Sequence, residues 1–78
     1  QQKEQQKKIR KLEKAVEQCE ARIEELEAAV KMLEEQMATP EGAADVSIYE
    51  RHGALKKQLD EAVNTWEETS LELEEAQS

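Results

Sequence analysis

Two stripes of apolar residues, each spaced alternately three and four apart, leave this chain little choice but to pair helices. In the first half the stripe runs Ile9, Leu12, Val16, Cys19, Ile23, Leu26, Val30, Leu33 and Met37. In the second it runs Ile48, His52, Leu55, Leu59, Ala62, Trp66, Thr69, Leu73 and Ala76. That spacing is the heptad seam of helices wound against a partner, with Ile9 at a and Leu12 at d. Gln2 and Gln5 continue the first seam with a polar turn. The two seams are out of phase: continuing the first register puts a positions at 44 and 51, whereas the second needs 45 and 52. A straight rod does not absorb that slip.

The interval between the seams, "MATPEGAADVSI", explains it. Pro40 is the only proline; it lacks an amide donor and disfavours helix at Thr39 before it. Gly42 adds backbone freedom, and Thr39-Pro40-Glu41 can cap one short extra turn. Ser47 with Glu50 reads as a capping box opening the next helix, with Asp45 as an alternative cap. Folding the chain about residues 42 and 43 sets Met37 against Ile48, Val30 against Leu55, Leu26 against Leu59 and Leu12 against Leu73. It also sets Cys19 against Trp66 and Ile23 against Ala62, small opposite large, as constant helix spacing demands. The sequence therefore predicts an all-α fold, a two-helix antiparallel coiled-coil hairpin. Its first helix spans about 2–38, its turn 39–46 and its second helix about 47–77, a single domain over 1–78. The first helix would reach about 55 Å, with about one turn at its start unpartnered. Flanking charges fit the register, with Glu27 and Glu34 near Lys56, Lys8 near Glu72, and Gln36 near Arg51. Each such exposed pair contributes only a few tenths of a kcal/mol.

Composition narrows the function. With Tyr49 and Trp66 as the only aromatics, the chain suits exposed helices better than a globe with a centre. One cysteine allows no internal disulfide, which fits a reducing compartment. No apolar run approaches the roughly 20 residues needed to span a bilayer. The opening "QQKEQQ" reads as a piece of something longer.

Catalytic chemistry finds no footing. His52 faces Leu33 near the turn with no second histidine or cysteine nearby, so it reads as structural rather than a metal ligand. Cys19 lies on the seam opposite the largest side chain and reads as a small hydrophobe. The many glutamates have no concave, desolvated site in which to act as acid or base. Gly42 and Gly53 are isolated, so no glycine loop cradles a phosphate. Gly53 inside the second helix costs about 1 kcal/mol relative to alanine, for close approach near the turn or simply as a tolerated residue.

Charge is the informative part. The net charge of −8 conceals a basic start, where Lys3, Lys7, Lys8, Arg10, Lys11 and Lys14 oppose Glu4 and Glu13. The balance there is +4, which leaves −12 on the remainder. Such a cationic stripe on a rod can lie along phosphates and release their counterions. Charged outer positions of an ordinary heptad explain the same residues. No aromatic interleaves the lysines, so base stacking is not indicated and any nucleic-acid contact would be insensitive to sequence. A membrane-surface helix is disfavoured, because the apolar face is used by the hairpin.

The lead "KKIRKLEKAVEQCEARIEELEAAVKMLEEQM", the turn "ATPEGAADVSIYERH" and the helix "LKKQLDEAVNTWEETSLELEE" together resemble the C-terminal domain of F-type ATP-binding cassette (ABC-F) ATPases, of the Uup-like kind. The resemblance covers nearly the whole chain. It implies a non-catalytic, cytoplasmic accessory tail that touches DNA or ribosomal RNA, in ATPases acting in translation or genome maintenance. On that resemblance the contacts are Lys7, Lys8, Arg10, Lys11 and Lys14, with Lys3 added from the charge pattern, and Trp66 is structural. No cofactor is expected in this stretch, ATP belonging to the parent chain. Neighbouring domains of that parent are further expected partners, as is weak self-association through the exposed start of the seam. A purely structural or protein-interaction hairpin is the main alternative. The tRNA-binding arms of aminoacyl-tRNA synthetases are a more distant one.

Overall fold

The computed structural model describes residues 2–78. The molecule is all-α. Helix α1 spans Gln2–Met37, the short α2 spans Pro40–Ala43, and α3 spans Val46–Gln77. No strand forms among the described residues. Helices α1 and α3 lie side by side and antiparallel. Gln5 meets Ala76, Arg22 meets Gln58 and Glu34 meets His52, so numbers rise along one helix as they fall along the other. The result is a rod of 61 × 15 × 14 Å.

The seam read from the sequence is the face the two helices share. Every seam residue from Ile9 to Met37 and from Ile48 to Ala76 is buried or half-buried, and nearly all the rest of the surface is exposed. The seam position at Gln2 lies outside the residues whose side chains the structure describes. Burial is deepest at Leu26 (3%), Val30 (5%) and Leu33 (9%), toward the closed end of the hairpin. No residue of α3 is fully buried. Two helices enclose a seam only from front and back, so water reaches its sides everywhere except where large aliphatics fill both edges.

The turn is built by capping. Thr39 takes an extended backbone (φ −86°, ψ 152°), as its position before proline dictates. Its hydroxyl donates to the Gln36 carbonyl at 2.7 Å and accepts the Gly42 amide at 3.0 Å. One side chain thus closes α1 and opens α2, with Pro40 at a first-turn position where its missing donor costs nothing. The short extra helical turn read from Thr39-Pro40-Glu41 is present.

Two expectations about the turn are corrected. Ser47 does not cap the second long helix. Asp45 does: its carboxylate accepts from the Ser47 amide at 2.9 Å and from the Ser47 hydroxyl at 2.7 Å. Asp45 wins because a carboxylate two residues ahead satisfies both Ser47 donors, leaving that hydroxyl no role as a cap. The reading of Gly42 changes as well. Gly42 does not use its conformational freedom, since no glycine has positive φ. It is needed for space, because a Cβ there would sit 1.8 Å from the Gln36 carbonyl oxygen. Gly53, where a close approach was one reading, has nothing within 4 Å of its would-be Cβ.

The first turn of α1 is also less free than expected. The Gln5 side-chain amide donates to the Ala76 carbonyl at 3.0 Å. That carbonyl belongs to the last turn of α3, where no intrahelical donor remains to take it.

Candidate nucleic-acid interface

All six expected contact residues, Lys3, Lys7, Lys8, Arg10, Lys11 and Lys14, are exposed on the first four turns of α1. At 3.6 residues per turn, Lys3, Lys7, Arg10, Lys11 and Lys14 fall within an arc of about 100°. That arc is centred opposite the seam, because Ile9, Leu12 and Val16 occupy the other side of the same helix. Lys8 stands apart, on the flank toward α3, where it lines a shallow groove with Glu4, Gln5, Glu75 and Ala76. From Lys3 to Lys14 the stripe is about 16 Å long. Among the described residues none of the six has a carboxylate within ion-pair distance. Their charge faces solvent.

Among the described residues, the flanking charges expected near one another make no direct ion pair. Glu34 takes His52 instead of Lys56, its Oε2 lying 3.2 Å from the ring Nε2. Arg22 pairs with Glu25 one turn along its own helix at 3.7 Å and reaches across to the Gln58 side-chain oxygen at 3.4 Å. Lys8 shares its groove with Glu75. Long flexible side chains reach several partners at similar cost, so register alone does not choose among them. Gln36 and Arg51 do line one groove, with Met32 and Leu55.

The residues that resembled chemistry are placed quietly. His52 is half-buried against Glu34. No group of three His, Cys, Asp or Glu side chains comes together as a metal site among the described residues. Cys19 lines a groove with Ala62 and Thr65, and Trp66 packs beside Ile23 and Val63. The Trp66 indole nitrogen is buried without a hydrogen-bond partner, so the ring acts through its apolar bulk. The acidity of Asp45 is strengthened by its place at the start of α3. The Ser47 hydroxyl and then the Ser47 amide hold its carboxyl below the usual range.

The sequence reading did not single out as one face the surface beside the basic stretch. The last third of α3, with Glu67, Glu68, Glu72, Glu74 and Glu75, runs alongside it. The absence of any lysine or arginine after Lys57 is the signal that was there to find it.

The class of protein that the fold defines is an all-α, two-helix arm with a charged open end. Residues 2–75 match the family described as ABC transporter C-terminal domain, and the chain belongs to that family. Comparisons with curated proteins and with solved structures gave no match. No helix is long and apolar enough to cross a membrane among the described residues.

Proposed function

We propose that this domain is the coiled-coil tail of an ABC-F-type ATPase and that it contacts DNA or ribosomal RNA through its basic N-terminal stretch. On this reading residues 1–78 form one hairpin at the end of a longer cytoplasmic chain, and ATP is bound by that parent. The observation that carries the proposal is the solvent-facing cationic arc of Lys3, Lys7, Arg10, Lys11 and Lys14, with Lys8 on its flank, on a chain of this family. Backbone phosphates are the matching partner, because the arc offers charge without an aromatic platform for bases.

The test is a mobility or anisotropy titration with duplex DNA and with ribosomal RNA at several salt concentrations. Binding should weaken with salt, with a logarithmic slope of about 0.9 for each phosphate neutralised on duplex DNA. Replacing Lys7, Lys8, Lys11 and Lys14 with Glu should abolish it. A second reading, a hairpin that docks on neighbouring domains or on itself, is favoured by the exposure of Met32 (63%) and Val46 (69%). Unchanged nucleic-acid mobility, together with a sedimentation coefficient that rises with concentration, would support that reading instead.

A further inference from the structure

At the open end of the hairpin the end of α3 carries charge that its own dipole opposes, and the start of α1 carries a net excess of such charge. The start of α1 is the positive end of that helix; Glu4 in its first turn suits that end, but Lys3, Lys7 and Lys8 outnumber it over the first two turns. The last turn of α3 is the negative end, with no basic residue and with Glu74 and Glu75 in it. Antiparallel packing places these two unfavourable ends against each other. Across the pair the signs become favourable, cations and a positive helix end beside anions and a negative one. Glu68, Glu72 and Glu75 recur at spacings of four and three, so they share one helix face. Glu75 on that face lines the same groove as Lys8.

We propose that the acidic face of α3 at Glu68, Glu72 and Glu75 is a built-in competitor for the basic stretch of α1. It attracts Lys8, which shares a groove with Glu75, without ion-pair contact, and must be outbid by any external anion. The partner class of the open end is therefore a dense polyanion, in preference to an isolated phosphate. The inference deepens the function proposed above and rests on the same basic stretch as the binding surface. The cations remain unpaired and solvated, so the competition acts through the local field, and that field falls off over about 8 Å at physiological ionic strength.

The test compares three forms of the 78-residue chain: the unaltered protein, the variant E68Q/E72Q/E75Q, and the variant E35Q/E41Q/E50Q. The last removes the same charge from the closed end, some 40 Å away along α1. Inorganic polyphosphate is the probe, with orthophosphate and duplex DNA in parallel arms. The open-end variant should bind polyphosphate about tenfold more tightly than the unaltered chain. The closed-end variant should differ less than about twofold, because its carboxylates lie several screening lengths away. Equal gains in both variants would mean that only net charge matters, and would overturn the inference. No polyphosphate binding by the open-end variant would overturn it as well, since lysines relieved of the opposing field must attract so dense an anion. Polyphosphate tightening without binding of DNA would leave the competitor in place and defeat the nucleic-acid reading. The helical signal in circular dichroism confirms that all three forms are folded.

Discussion

Single atoms decide the closed end. Gly42 packs so closely on α1 that its missing Cβ is the only room for the Gln36 carbonyl. Gly42→Ala should therefore destabilise the hairpin by about 2 kcal/mol, the usual cost of overfilling a tight contact. Gly53→Ala meets open space on a helix and should stabilise it by about 0.5–1 kcal/mol. Thermal unfolding of the two variants should thus shift Tm in opposite directions. Asp45 supplies a pH signature. Its folded acidity is strengthened by the Ser47 hydroxyl and amide, so the ionised form is the one that stabilises the fold. That contribution is whole above the ordinary aspartate range near pH ~4 and is lost as pH falls through the lower folded value. Asp45→Ala should lower Tm at neutral pH, and its difference from the unaltered protein should shrink in acid. The choice of Asp45 over Ser47 was not legible in the sequence, since either residue can cap. Nor was the role of Gly42 legible, because a glycine needed for space reads the same as one needed for flexibility.

At the scale of the helices, energy is concentrated where Leu26, Val30 and Leu33 meet α3. Leu26→Ala should cost about 3 kcal/mol, a large share of what so small a domain possesses. The exposed Leu71→Ala should stay within about 0.5 kcal/mol, and urea denaturation of both measures the contrast. The seam itself was legible because period and burial are two views of one geometry: side chains that recur every three or four residues share a face. The basic stretch was legible for the same reason, its outer spacing being the complement of the seam. Cross-helix charge pairing was not. His52 takes Glu34, and no heptad rule distinguishes that partner from the lysine at 56.

As a whole the molecule is thin. It exposes 6269 Å², against about 4,800 Å² for a compact protein of its mass. Solution scattering should return a maximum dimension near the 61 Å length of the rod. A chain that stayed straight through Pro40 would instead approach about 115 Å. The large exposed surface is the expected form for an arm of an ABC protein, since a domain with little interior has most of its residues free to meet something else. Membership of that family was recognisable from the turn and the late tryptophan as well as the heptads.

The contact between Gln5 and Ala76 has a mechanical corollary. Because both arms leave the rod at the same place, tension applied between them loads one layer of the seam at a time instead of all layers together. The rod would yield from that end inward, like a zip, and would reach the tightly packed leucines and the capped bend last. Held by both arms, such a hairpin is compliant; pushed or pulled along its long axis, it is stiff.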